Sequence, residues 1–318
     1  MSIVAPVYNE EAVIAEFVSR TLAAITGLEQ EYDFELIIVN DGSDDRTMEI
    51  LAESMKKDNR LRVVELRRNF GQTQAIRAGL DQVNGDIIVT MDADLQHFPE
   101  EIPCFLEKLR EGHDMVCGWR RQREDRVTRW WPSCVGNYLI RKISGLHIHD
   151  ISTTFRAYRV EIVRELELFG EFHRYIPVLG HQIGSRIAEI PIRNVDRPAG
   201  RSNYGLGRTL GVGLDLVLLY FFTHYLDRPM RAFGKIASMI FAVGGAIIAA
   251  LVAYAYTYNI HAVQEHSGWF LMAVVLILTA VQVILAGIVA EILVRIRYGR
   301  GDHRVYRIRR IWTSGESS

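Results

Sequence analysis

The sequence predicts an α/β protein built on a mostly parallel sheet, followed by an interfacial helical segment and two C-terminal transmembrane helices. Three features predict it. Residues 1–205 alternate short apolar runs with segments of helical period. Polar clusters follow the ends of three of those runs: Tyr8-Asn9-Glu10, Asp41-Gly42-Ser43 and Asp92-Ala93-Asp94. Residues 236–260 and 267–290 carry no charged side chain at all. Strands that alternate with helices pair in parallel beneath crossover helices. In such sheets ligands bind beyond the carboxyl ends of the strands, which is where the three polar clusters fall.

Taken in order, residues 2–6 form a short apolar strand and residues 11–26 a helix. Residues 34–40 are a second strand that ends on Asp41, and residues 46–57 a second helix. A third strand at 61–66 and a helix at 72–83 follow, then a fourth strand at 87–91 that runs into Asp92. Apolar positions at i, i+3 and i+4 mark the helices, and short β-branched runs mark the strands. The chain opens on a strand, without the basic start and long apolar stretch of a signal peptide, so the N-terminal domain is expected to stay in the cytosol.

Residues 206–227 hold Leu214, Leu216 and Phe221 but are interrupted by Asp215, His224 and Asp227, which suits a helix lying in the membrane interface. Each uncharged run beyond it exceeds the roughly 20 residues needed to span the hydrocarbon core. Arg228, Arg231 and Lys235 precede the first run, and Arg295, Arg297, Arg300, Arg304, Arg307, Arg309 and Arg310 follow the second. The loop between them, 257–266, has neither Lys nor Arg. The positive-inside rule therefore places both termini and the large domain on the cytosolic side of a plasma (inner) membrane crossed twice. The expected division is a catalytic domain at 1–205, a juxtamembrane segment at 206–230, a two-helix membrane domain at 231–294 and a basic tail at 295–318. Gly244, Gly245, Ala246 and Gly287 would let helices approach closely, within the chain or in a homo-oligomer.

Charge is balanced, 37 basic against 38 acidic residues, so no overall basic field points to nucleic acid. Cys104, Cys117 and Cys134 lack metal-site spacing and read as reduced thiols. Asp92-Ala93-Asp94-Leu95-Gln96-His97 carries the most chemistry. Two carboxylates one residue apart, followed by an amide, suit Mg2+ or Mn2+ held against a diphosphate. A lone D-x-D is met in solvated turns; at a strand end beside two other polar clusters it points to a metal. Arg120, Arg121, Arg123, Arg126 and Arg129 lie within ten residues, beside Trp130 and Trp131. Such a run is ordinarily a solvated face. A phosphate carried on a lipid, however, needs basic groups next to an apolar surface. Arg120 and Arg126, with Ser133, are therefore assigned to an acceptor phosphate.

The stretches at residues 2–11, 41–45 and 92–97 together closely resemble glycosyltransferase family 2. Within it the chain is similar to the polyprenyl-phosphate glycosyltransferases, such as dolichol-phosphate mannose synthase and the bacterial bactoprenol glucosyltransferases. Arg68-Asn69-Phe70-Gly71, Gly118-Trp119-Arg120, the segment from Asp150 to Arg156 and Phe172-His173-Arg174-Tyr175 extend the resemblance over almost the whole chain. It implies a GT-A fold and an inverting transfer of a hexose, glucose from UDP-glucose, to undecaprenyl phosphate, for cell-surface glycan assembly. It places Pro6, Tyr8, Glu10 and Asp41 around the base and ribose, Asp92 and Ala93 near the nucleotide, and Asp94 and Gln96 on the metal. Singly, Pro6 would end a strand and Asp41 would cap a helix. Asp94, Asp150, Arg120 and Arg126 form the expected catalytic set. A phosphate monoester is largely ionised already, its second pKa being about 6, so Asp150 would orient the acceptor or metal shell instead of removing a proton.

Thr153-Thr154 replaces the Ser-Gly common in the family, and Asn203 stands where Lys is frequent, which bears on fine substrate contacts. Another nucleotide-sugar donor is one alternative and a processive polysaccharide synthase a second; the latter's Q-x-x-R-W segment is missing. A catalytically silent membrane receptor for nucleotide-sugars would not need the intact metal and nucleotide motifs. Two spans do not enclose a transport path, so moving the product across the bilayer would fall to a separate flippase.

Overall fold

The computed structural model describes residues 1–121, 145–166, 172–195, 220–221, 225, 229–258, 265–299 and 308–312. Its first half follows the predicted order. β1 (Ser2–Val7), α1 (Ile14–Thr26), β2 (Glu35–Asn40), α2 (Thr47–Met55), β3 (Leu61–Leu66), α3 (Gln72–Leu80) and β4 (Ile87–Thr90) alternate without a break. A 3-10 turn (Pro99–Glu101) leads into α4 (Ile102–Arg110) and β5 (Met115–Arg120). After the intervening segment come β6 (Arg156–Arg159), α5 (Val160–Glu165), a 3-10 turn (Phe172–Tyr175), α6 (Ile176–Gln182) and β7 (Ile187–Ile192).

The strands form one eight-stranded sheet in the order β7-β5-β6-β4-β1-β2-β3-β8, where β8 is Ile308–Trp312. β1 lies parallel to β2 and β4, β2 to β3, and β5 to β7, while β6 runs antiparallel to β4 and β5. β8 runs antiparallel to β3, so part of the predicted basic tail is the outer strand of the sheet.

Side chains of a strand alternate between faces, and the burial follows that period. Ile3, Ala5, Leu36, Ile38, Leu61 and Val63 pack under Phe17, Leu51 and Phe105 on one face. Val4, Ile37, Val39, Val64 and Leu66 pack against Ala75, Ile76, Val163 and Ile176 on the other. Each fully buried large apolar side chain contributes about 1.5–3 kcal/mol relative to exposure. Because both faces are covered, these strands read as continuous apolar runs. On α1 the buried residues Ile14, Phe17, Val18, Thr21 and Ile25 keep the helical spacing that predicted it.

The chain divides into two compact units, Met1–Val212 with Arg304–Ser318, and Gly213–His303. The second contains α7 (Met230–Tyr258) and α8 (Ser267–Gly299). Both are long and apolar enough to cross a membrane, with mean hydropathy of 2.5 and 2.7 in their most apolar windows. They pack as an antiparallel pair. A Cβ on Gly244 would press on Ala273, Leu276 and Ile277, and one on Gly287 would strike Phe233 and Met230. Buried positions are the small Ala237, Gly244, Ala273, Ala280 and Gly287, whereas Phe241, Val252, Leu271, Leu285 and Leu293 are exposed. Small residues inward and large apolar ones outward are the pattern of helices packed within lipid, opposite to that of a soluble core. Gly244 and Gly287 thus serve contact within the pair; Ala246 is exposed and Gly245 has open space beside it. Most of the expected interfacial segment at 206–227 lies outside the described residues.

Candidate active site

The carboxyl ends of β1, β2 and β4 and the start of β6 meet at one edge of the sheet. β1 pairs with β4 only from Ser2 to Val4, and so runs on past the end of that strand. Pro6, which has no N–H for a ladder, falls in the overhang, where β4 no longer offers a partner.

Two loops at this edge hold each other in shape. The Asn9 N–H donates to Ser43 Oγ at 3.0 Å, and the Asp44 N–H donates to Asn9 Oδ1 at 2.9 Å. The Glu10 N–H donates to Thr47 Oγ1 at 3.0 Å, and the Glu11 N–H to Asp45 Oδ2 at 3.1 Å. Asn9 sits at φ 54°, a left-handed conformation that asparagine tolerates better than most residues. Tyr8 is left 42% exposed at the rim. Gly42, at φ 70°, lies so close to the backbone of Arg68 and Asn69 that no side chain fits there.

Asp41 is buried, and its two carboxylate oxygens accept the N–H groups of Phe70 at 2.8 Å and Gly71 at 2.9 Å. It thereby ties the end of β2 to the loop that opens α3. Burial pushes its pKa up, against those two hydrogen bonds. Gln72, the first residue of α3, donates from Nε2 to Asp92 Oδ1 at 2.7 Å. Burial raises the Asp92 pKa too, opposed by Gln72 and by the charges of Arg120 and Arg156.

Beyond Asp92 the chain turns sharply. Ala93 and Asp94 are buried, Leu95 adopts φ 59°, and the Gln96 N–H donates to Asp94 Oδ1 at 3.1 Å. A positive φ on a branched apolar residue is unfavourable, and such conformations concentrate where a site fixes the backbone. The Gln96 carbonyl accepts the Val195 N–H at 3.2 Å, which ties this turn to the segment after β7. His97 is buried with its ring 5.7 Å from that of Phe155. Among the described residues its Nδ1 has no hydrogen-bond partner. Burial pushes its pKa down to about 4, helped by the charge of Arg120 and resisted by Asp94 and Asp150.

Arg120, at the end of β5, meets Asp150 side-on. Nε donates to Oδ2 at 2.7 Å, and one terminal nitrogen donates to Oδ1 at 3.0 Å and to Ser152 Oγ at 2.9 Å. Arg156, at the start of β6, is buried and, among the described residues, its hydrogen bonds go to backbone carbonyls. It donates to the carbonyls of Ile151 and His173, both at 2.8 Å, and so binds the Asp150 loop to the turn at 172–175. Arg126, Ser133 and Asn203 lie outside the described residues.

Among the sequence candidates, the structure brings Pro6, Tyr8, Glu10, Asp41, Asp92, Asp94 and Gln96 to the edge formed by β1, β2 and β4. Arg120 and Asp150 stand at the β5 and β6 side of the same edge, close enough to His97 to influence its proton. Asp92, Asp94 and Gln96 offer carboxylate and amide oxygens, and the described residues hold no group of three His, Cys, Asp or Glu side chains suited to a metal. That donor set fits Mg2+ or Mn2+, which bind few protein oxygens and keep room for water and phosphate. It does not resemble a closed structural metal site. The sequence reading did not single out Gln72, His97 or Arg156. Gln72 directly follows the Arg68–Gly71 motif, and a buried arginine at the head of a strand is a signal only once its carbonyl partners are known.

Residues 2–167 match the sequence profile described as Glycosyl transferase family 2. The chain is 37% identical over 320 residues to the dodecaprenyl-phosphate galacturonate synthase of Rhizobium johnstonii, covering 98% of this chain and 93% of that protein. It is 35% identical over 298 residues to the undecaprenyl-phosphate 4-deoxy-4-formamido-L-arabinose transferase of Edwardsiella ictaluri, covering 93% and 89%. Among solved structures, glucosyl-3-phosphoglycerate synthase from Mycobacterium tuberculosis, in complex with Mn2+, UDP and phosphoglyceric acid, superposes with a TM-score of 0.52. That match has 22% identity and covers 70% of this chain and 77% of the other.

Proposed function

Given that the chain belongs to glycosyl transferase family 2, we propose that it moves a sugar from a nucleoside-diphosphate sugar onto a polyprenyl phosphate at the cytosolic face of a membrane. The observation that carries this reading is the joining of two chemistries at one sheet edge. Asp92 and Asp94 follow the end of β4, and the Arg120–Asp150 ion pair stands at the β5 and β6 side of the same edge; in this reading the first group serves the nucleotide and the second the acceptor phosphate. The two apolar helices supply the reason for a lipid-borne acceptor, and the two relatives, by their names, act on polyprenyl phosphates.

In this reading the loops at Tyr8–Glu10 and Asp41–Ser43 receive the base and ribose. Asp41 also fixes the Phe70–Gly71 backbone, whose two amides its oxygens accept. Asp94 and Gln96 would hold a divalent cation, which when bound offsets charge on the departing nucleoside diphosphate. Arg120 and Asp150 orient the acceptor phosphate. One of its oxygens attacks the anomeric carbon as the diphosphate leaves from the opposite face, which inverts the configuration. No general base is needed, since the attacking oxygen is already ionised. Positioning and preorganised charge supply the acceleration.

The sugar is the finer part of the proposal. Resemblance to the bactoprenol enzymes favours glucose, carried by UDP, whereas the two relatives are named for galacturonate and for 4-deoxy-4-formamido-L-arabinose. Purified full-length protein in detergent, given Mn2+, undecaprenyl phosphate and each of these sugars as its radiolabelled UDP derivative, distinguishes them. A labelled product that partitions into organic solvent and is cleaved by mild acid establishes the reaction and names the donor. Nucleotide binding without lipid product from any donor overturns the acceptor assignment.

A further inference from the structure

Glu189 lies in β7, opposite Cys117, within the run Ile-Ala-Glu-Ile-Pro-Ile. A carboxylate among apolar strand residues is costly unless donors surround it. Its side chain is only 10% exposed, and its described partners come from a single place. The His149 N–H donates to both carboxylate oxygens, at 2.7 and 2.8 Å, and the Asp150 N–H donates to Oε1 at 2.9 Å. The His149 ring completes the set, with Nδ1 at 2.9 Å from Oε2. The other face of the arrangement is closed by Trp119, whose ring stacks on His149 at 4.2 Å with an interplanar angle of 18°.

One carboxylate on a rigid strand therefore fixes two consecutive residues of a loop that has no regular structure of its own. The second of them, Asp150, holds Arg120. We propose that Glu189 is a positioning residue for acceptor binding: it sets the backbone of Asp150 and, through Asp150, the orientation of the Arg120 guanidinium. This rests on the reading above that Arg120 receives the acceptor phosphate. Trp119 and Arg120 are neighbours on β5, so the stacked His149 also keeps the loop from sliding along that strand.

The test compares full-length wild type, Glu189→Ala, Glu189→Gln and, as a control on the same side of the sheet, Arg186→Ala. Arg186 pairs with Asp114 ahead of β7 and takes no part in the site. Steady-state transfer is measured with the lipid acceptor and the sugar nucleotide varied in turn, and hydrogen exchange is followed by mass spectrometry. Removing a partner that orients a functional group commonly costs about 10–100-fold. Glu189→Ala should lower kcat/KM for the lipid acceptor by that factor while leaving KM for the sugar nucleotide unchanged. Glu189→Gln, whose carbonyl still accepts an N–H, should recover part of the loss, and Arg186→Ala should match wild type. Peptides covering 147–152 should lose protection in Glu189→Ala while those covering β1 keep theirs. Unchanged acceptor kinetics, or a loss of protection spread through the whole sheet, would overturn the assignment. If wild type glycosylates no lipid phosphate, the transfer reading fails by itself. Exchange then still decides on Glu189: protection lost only at 147–152 upholds its hold on the loop, and unchanged protection there refutes it.

Discussion

Arg120 and Asp150 meet at two points, two nitrogens against two oxygens at 2.7 and 3.0 Å, from residues 30 positions apart in the chain. Paired this way, the guanidinium is held at a fixed angle before any acceptor arrives. Arg120→Ala is expected to reduce transfer by about 100-fold or more, the usual effect of losing a preorganised donor. Arg120→Lys should rescue little, because an ammonium cannot reproduce the two-point geometry. Calorimetric titration of UDP with Mn2+ should be unaffected by either change, and weakened UDP binding would move Arg120 to the nucleotide side.

Asp94 is the strongest candidate for the cation. Asp94→Ala is expected to raise the Mn2+ concentration needed for half-maximal transfer by at least about 100-fold, beyond the effect of outer-sphere changes. Full activity at the wild-type Mn2+ concentration would remove Asp94 from the metal.

Cys117 and Cys104 should differ sharply in reactivity. Cys117 is buried in β5, and burial pushes its thiol up to about 12, whereas Cys104 is exposed on α4. The thiolate is the reactive form. In a Cys134→Ser background, iodoacetamide at pH 8 should label Cys104 alone until the protein is unfolded, as read by mass spectrometry.

Glu35 links β2 to the start of the sheet. Burial alone would raise its pKa, but hydrogen bonds from Ser2, Asn84 and Arg62 outweigh it and hold the carboxyl below its ordinary 4.5. As pH falls, the unfolded chain takes up this proton first, so the contribution is complete above about pH 4.5 and disappears as pH drops through the folded value. Glu35→Gln should therefore lower stability by about 1 kcal/mol at pH 7. The gap from wild type should close in acid, as followed by thermal unfolding in detergent.

Gly244 faces the neighbouring helix closely enough that a Cβ would lie 3.1 Å from the Ala273 carbonyl oxygen. Gly244→Val is expected to destabilise the helix pair by about 1–3 kcal/mol, the range for overpacking. Gly245→Val, with open space beside it, should be nearly neutral and serves as the matched comparison.

The parallel half of the fold was legible because its strands are buried on both faces and its helices on one, which leaves two different periods in the sequence. The polar clusters after β1, β2 and β4 were legible for a related reason: a buried strand has to end before a charged group can be placed. Other features were hidden. β8 is rich in arginine and reads as a topology signal, and only its pairing with β3 shows it to be a strand. Asp41 was assigned to the nucleotide from the resemblance, and its tie to the Phe70 and Gly71 amides is a contact between loops that no local pattern encodes. Glu189 is a single acid in an apolar strand, and its meaning depends on His149 and Asp150 arriving beside it.

The pairing of Val63 with Trp312 has a consequence for synthesis. β3 emerges early from the ribosome, and the strand that covers its outer edge emerges after both apolar helices. Until then that edge offers unpaired N–H and C=O groups to any passing strand. Closing so long a loop is slow relative to local contacts. The outer edge of β3 is thus covered only after both apolar helices have been made. A chain cut just before Ile308 should be made and inserted, yet be prone to association through β3.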